Sequence, residues 1–137
     1  MKKQIALLLI VSMSSLLSAQ DNLLSQARAL FDSGKYSASQ SILDQFSSIN
    51  RTAEIMYLNA RCSKELFLSD AISLYHDLNS AFPYHRFRDE VHKDLALIYY
   101  REKRNTNAIS SFLEAKLLSN EQLFKLAYSY FLIDSLG

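Results

Sequence analysis

Residues 93–115 read KDLALIYYREKRNTNAISSFLEA. With Val91 just before them, Leu95, Ala96, Ile98 and Tyr99 recur at three- and four-residue spacings, the period of one helix face. A charged break follows at Arg101–Arg104, and the spacing resumes at Ala108, Ile109, Phe112, Ala115 and Leu118. The pattern predicts two amphipathic helices, the first over about 87–101 and the second capped by Asn105 or Thr106, joined by a short turn. Ala96 and Ala108 have no bulk to hold two helices apart, while Tyr99 and Phe112 fill the space around them.

Outward from this hairpin the same period continues. Leu23, Ala27, Leu30 and Phe31 share a face that stops at Gly34, a residue suited to close a helix. Tyr36 to Phe46 carries Ile42, Leu43 and Phe46 inward. Asn50 is the expected cap of a helix bearing Ile55, Leu58, Cys62 and Leu66, with Glu54 in its first turn. Ser69 and Asp70 open a fourth helix with Ala71, Ile72, Tyr75 and Leu78, which Pro83 ends. Ser119 and Gln122 have the Ser-x-x-Gln spacing of a reciprocal cap for a seventh, with Leu123, Leu126, Ala127, Tyr130 and Phe131. Two glycines and one proline are too few for a protein of many tight β-turns, and no stretch alternates with period two. The fold class read from the chain is all-α.

Helices of similar length in pairs call for a test of internal repetition. Leu95-Ala96 with Tyr99, then Ala108, Phe112 and Ala115, resembles the tetratricopeptide repeat, a helix–turn–helix unit of about 34 residues. Ala71, Tyr75, Leu78 and Pro83 match the second half of another unit. Its first half has two registers, Leu58-Asn59 with Cys62 or one shifted to Ala60. Ala27, Leu30, Gly34-Lys35-Tyr36 and Ser39 match a further unit, and Leu126-Ala127 with Tyr130 looks like the first helix of a fourth. The spacing is irregular: Ser39 to Ala71 is 32, Ala71 to Ala108 is 37, and Ala96 to Ala127 is 31. The resemblance implies a right-handed α-solenoid of antiparallel helix pairs. Its pairs span 20–49, 50–84 and 85–118, followed by the first helix of an incomplete repeat over 119–137. The competing architecture is a generic helical bundle. The outer side of the last helix reads Phe124, Lys125, Tyr128, Ser129, Phe131, Leu132 and Ile133, unlike a polar terminal cap. The expectation is therefore the front of a longer repeat protein, or a truncated copy of one, with further repeats of the same chain as one partner.

Residues 1–19 read as an address. Lys2 and Lys3 precede the apolar run Ile5–Val11, and Leu17-Ser18-Ala19 offers a small-residue cleavage site before Gln20. This is the pattern of a secretory signal peptide in bacterial style, too short for a comfortable membrane span. The expected destination is the periplasm or cell envelope, with no transmembrane anchor after cleavage. Without 1–19, Lys plus Arg falls to 13 against 14 Asp plus Glu, so the net charge of +1 becomes about −1. Residues 84–104 hold six Lys or Arg against four Asp or Glu, too slight an excess for nucleic acid in an acidic chain.

Chemistry-bearing patterns are sparse. His76, His85 and His92 lack the usual zinc spacings, so no metal is expected. Cys62, alone and at apolar spacing, is expected buried and inert. There is no phosphate-cradling glycine loop and no Gly-x-Ser-x-Gly, and Asp89, Glu90 and Asp94 read as a solvated helix face. The chain is expected to be non-enzymatic and without cofactor. By resemblance, the first helix of each pair lines a concave groove that takes a protein or peptide segment. Aligned on the Leu-Ala pair, the groove residues are Arg28 and Phe31, then Lys64 with Met56 or Tyr57, then Lys93, Leu97, Tyr100 and Arg101, then Phe124, Tyr128 and Phe131. These are basic and aromatic, which suits an acidic or aromatic-bearing segment. The reading is thus an envelope scaffold, or alternatively an accessory repeat region of a larger envelope enzyme or secretion machine.

Overall fold

The computed structural model describes residues 1–46 and 50–135, apart from the side chains of 2–4 and 6–16. Among them the chain is all helix, seven α-helices and no strand. In order these are α1 (Lys2–Asp32), α2 (Tyr36–Leu43), α3 (Ala53–Glu65), α4 (Ala71–Ala81), α5 (Arg88–Arg101), α6 (Asn105–Glu114) and α7 (Asn120–Ser135). The last two residues of the expected incomplete repeat, Leu136 and Gly137, lie outside the described residues. No described helix is long and apolar enough to cross a membrane. The chain divides into two compact units, Met1–Leu66 and Phe67–Gly137.

In the first unit α1 packs on α2, and α2 on α3. The core holds Ala27, Phe31, Leu43, Phe46, Ile55, Leu58 and Cys62, with Leu23, Leu24, Tyr36 and Ile42 packed against it. The two small residues meet as their size predicts: buried Ser39 Oγ donates to the Ala27 carbonyl at 2.8 Å. Gln40 Nε2 donates to Asn59 Oδ1 at 3.2 Å and Ser63 Oγ at 2.9 Å, tying α2 to α3 through polar groups. Helix α2 ends at Leu43 rather than Phe46, yet Phe46 is still buried in the turn that follows. The cap of α3 is Thr52, not Asn50. Thr52 is the extended residue three positions before Ile55, whose N–H it accepts at 3.3 Å. Cys62 is buried and free, and burial raises its thiol pKa.

In the second unit α5 packs on α4 and α6, and α6 on α7. Tyr75, Leu78, Val91, Leu95, Ala96, Ile98, Tyr99, Ala108 and Phe112 are buried. Phe82, restricted by the following Pro83, leaves the helical region at φ −134° and ends α4. The reciprocal cap of α7 forms as read: Ser119 N–H donates to Gln122 Oε1 at 2.9 Å, and Gln122 N–H to Ser119 Oγ at 3.2 Å. Neither Asn105 nor Thr106 caps α6. The N-cap is Arg104, because the preceding turn hands the chain directly into the helix. Asp94 is not on a solvated face either. Its carboxylate is buried and accepts from the Tyr75 hydroxyl at 2.7 Å.

Helices α1, α3 and α5 end alike. Each is followed by a left-handed residue: Gly34 (φ 76°), Phe67 (φ 57°) and Lys103 (φ 58°), which stand 33 and 36 apart. At the first, Gly34 N–H bonds the Phe31 carbonyl (2.9 Å) and Lys35 N–H the Leu30 carbonyl (2.8 Å). At the third, Lys103 N–H bonds Tyr100 (3.1 Å) and Arg104 N–H bonds Tyr99 (2.9 Å), the same Schellman closure. Seven residues before each turn stands a fully buried alanine, Ala27, Ala60 or Ala96. Five residues after the first and third stand Ser39 and Ala108, also fully buried. The α1–α2 and α5–α6 hairpins are one construction repeated 69 residues apart, and in α3 the shifted register with Ala60 is the one that matches it.

Only glycine adopts φ near +76° without steric cost. Nothing lies within 4 Å of a Cβ at Gly34, so Gly34→Ala tests backbone strain alone. It is expected to cost about 1 kcal/mol, and Lys103→Gly to add a similar amount. Urea unfolding of the two variants checks both signs.

Candidate binding groove beside the α5–α6 turn

The second unit has a groove of about 540 Å³ lined by Tyr100, Arg101, Lys103, Asn105, Tyr128 and Leu132. The end of α5 supplies the first two, the left-handed turn supplies Lys103, the start of α6 supplies Asn105, and α7 closes the far side. Tyr128 belongs to a ladder of three rings on α7. It stacks on Phe124 and on Phe131, with centroids 6.2 Å apart in each case. All three are exposed, at 67%, 42% and 63% for Phe124, Tyr128 and Phe131. Their i, i+4 and i, i+3 spacing places them along one helix edge.

The charges around the groove are unequally engaged. Lys93 Nζ pairs with Asp89 Oδ2 at 2.6 Å, and Lys125 pairs with Glu121 while lying 5.9 Å from the Tyr100 ring. Those two lysines hold the Asp89 and Glu121 carboxyls below the usual range, and Lys116 N–H adds to the effect at Asp89. Arg104 reaches Glu102 at 3.5 Å and lies 4.5 Å from the Tyr99 centroid. Arg101 rests on the Phe67 ring, 4.6 Å from its centroid. Neither Arg101 nor Lys103 meets a carboxylate among the described residues.

Of the residues expected to line a groove, Tyr100, Arg101 and Tyr128 are brought together here. Leu97 and Lys93 lie on the same helix, half-buried, and Lys93 is committed to Asp89. Arg28, Phe31 and Lys64 lie in the first unit. There Arg28 pairs with Glu54 at 2.5 Å and Lys64 with Glu65 at 3.1 Å. Phe31 is 8% exposed in the core, under the Arg61 guanidinium at 4.5 Å. Sequence reasoning missed Lys103, Asn105 and Leu132, because a lysine in a charged run carries no sign that its backbone closes a helix.

The three histidines gather elsewhere in this unit. A cavity of about 290 Å³ is lined in part by His76, Asn79, His92, Tyr99 and Glu114. His76 Nε2 lies 3.2 Å from the Tyr99 hydroxyl. Phe87 N–H donates to His85 Nδ1 at 3.2 Å, so the ring proton sits on Nε2, 2.8 Å from Asn79 Oδ1. His92 Nε2 is buried with no partner among the described residues. No group of three metal-ligating side chains forms among those residues. Burial pushes the pKa of both His85 and His92 down. Arg88 and His92 add to the effect at His85, whereas the Glu114 carboxylate opposes it at His92.

The sign of the linkage follows. The folded state favours neutral rings, so the unfolded chain takes up protons first as the pH drops through about 6.5. Stability is expected to be flat above roughly pH 7.5 and to fall with acidification until the folded-state rings protonate. Urea midpoints across that range should decline less in His85→Gln and His92→Gln than in the parent.

Comparisons of the chain with family models, with curated proteins and with solved structures return no match.

Proposed function

We propose that the chain is an exported, tetratricopeptide-like scaffold of the bacterial cell envelope. It binds a protein segment in the groove beside the α5–α6 turn and performs no catalysis. The observation that carries the reading is the groove itself, which joins two tyrosines and a leucine with two cations that no internal carboxylate neutralises. Exposed aromatic and arginine side chains at a concave site are the usual anchors of protein recognition. The helix-pair solenoid draws support from the repeated turn and from the buried small residues set at fixed distances on either side of it. Export draws support from the first unit. Leu17, Ser18 and Ala19 are exposed, and among the described side chains the first packed on the core is Leu23, so cleavage before Gln20 spares every described side chain of that core.

Site-specific photocrosslinking in the exporting cell tests this. A benzophenone side chain at position 128 is expected to yield protein adducts. The same group at position 84, where Tyr84 is 96% exposed beside a different cavity, should yield none. Equal adducts from both positions, or none from 128, would overturn the reading. Finding the intact leader on cytoplasmic protein alone would overturn the export part.

A further inference from the structure

We propose that the groove selects acidic segments, and that the residues reading the acid are Arg101 and Lys103 at the hairpin turn rather than the lysines along the helix faces. The inference rests on the protein-binding reading above and adds the chemistry of the partner.

Charge bookkeeping at the atomic level separates the candidates. Arg28, Lys64, Lys93 and Lys125 each hold an internal carboxylate within ion-pair distance. A ligand carboxylate would have to displace an acid already in place, which leaves little net gain. Arg101 and Lys103 have no such partner among the described residues, and Glu102 between them is turned to Arg104. The Arg101 head group is also anchored, and so is the backbone that carries Lys103. The guanidinium of Arg101 lies over the Phe67 ring, a contact that leaves its N–H edge free to donate. Lys103 sits in a backbone fixed by two hydrogen bonds, its own N–H to Tyr100 and that of Arg104 to Tyr99. Anchoring before binding lowers the entropy lost on capture. Opposite the cations, Tyr128 and Leu132 of α7 present an apolar wall. The complement of this surface is a segment with a carboxylate next to an aromatic or large apolar side chain. A bare polyanion would leave the Tyr128 and Leu132 wall unused.

The test uses the full chain and three fluorescein-labelled random dodecapeptide pools of equal Leu, Phe, Ser and Gly content, whose remaining positions are Glu, Gln or Lys. Binding is read by fluorescence anisotropy. The Glu pool is expected to bind most tightly and the Lys pool least, with the preference shrinking as salt is raised. Arg101→Gln and Lys103→Gly should each weaken Glu-pool binding roughly two- to fivefold and leave the Gln pool unchanged. Lys103→Gly removes the cation while suiting the left-handed turn, so loss of binding in it is not loss of fold.

Equal affinity for the Glu and Gln pools overturns acid selection and leaves the groove reading standing. A Glu preference that survives both substitutions places acid recognition elsewhere and overturns the proposal. Self-association that the Glu pool does not displace would give the groove to a second copy and overturn it likewise. If no pool binds, acid selection falls, and the adducts at position 128 decide separately whether the protein-binding reading falls with it.

Discussion

Replacing Phe112 by alanine is expected to lower the stability of the 67–137 unit by about 3–5 kcal/mol. Phe112 is fully buried on α6, nine residues past the left-handed turn, where it packs in a hairpin whose two alanines admit close helix approach. Truncation removes the ring's transfer free energy and leaves a cavity that Ala96 and Ala108 are too small to fill. For a unit of this size the loss corresponds to an apparent Tm lower by roughly 12 °C or more. The urea midpoint should drop with little change in the slope. Leu113, its neighbour in sequence, is 62% exposed, and Leu113→Ala should change stability by no more than about 0.5 kcal/mol. In the first unit Leu43 occupies the matching place after Gly34 and is 1% exposed, so Leu43→Ala is expected to cost about 2–5 kcal/mol there. If Phe112→Ala cost no more than Leu113→Ala, the hairpin would not be the packed unit described.

The contrast between these neighbours shows what was legible in the chain. Phe112 and Leu113 are both large and apolar, and only the period distinguishes the inward one. The period placed all seven helices and Ala27, Leu95, Ala96, Ala108 and Phe112 in the interior. Two short-range rules also held: Gly34 closes α1, and Ser119 with Gln122 caps α7. Both depend on neighbours in sequence, so a single chain displays them. The left-handed turns at Phe67 and Lys103 were invisible because neither residue is glycine, the one type that signals such a backbone in a sequence. Of the expected groove residues, Tyr100, Arg101 and Tyr128 stand together beside the α5–α6 turn, while Arg28, Phe31 and Lys64 lie in the first unit. The Asp89–Lys93 pair has helical i, i+4 spacing and was open to discovery from sequence, whereas Arg28 and Glu54 lie 26 residues apart and meet only through the fold. Asp94 sits in a charged run, and nothing local to it signals that a tyrosine 19 residues earlier takes its carboxylate inside.

That buried pair gives the second large effect. Tyr75→Phe is expected to destabilise the unit by about 1.5–3 kcal/mol. Asp94 is 8% exposed and Tyr75 fully buried, so water cannot replace the lost donor at 2.7 Å without opening the contact between α4 and α5. The ring stays and no large cavity forms, so most of the cost is loss of the hydroxyl's hydrogen bond to a carboxylate. Asp94→Asn keeps an acceptor of the same shape and should cost less than Tyr75→Phe. In a double-mutant cycle the two changes should fall short of additivity, since both weaken one shared contact. Full additivity would mean that the hydroxyl and the carboxylate are not coupled. The bond also bears on the groove. Arg101 lies seven residues beyond Asp94 on α5, roughly 10 Å along the axis, and the groove is formed at that end. Tyr75→Phe should therefore lower the urea midpoint while leaving the preference for the Glu pool over the Gln pool unchanged under native conditions. A variant that lost stability and selectivity together would show that the α4–α5 contact sets the position of Arg101.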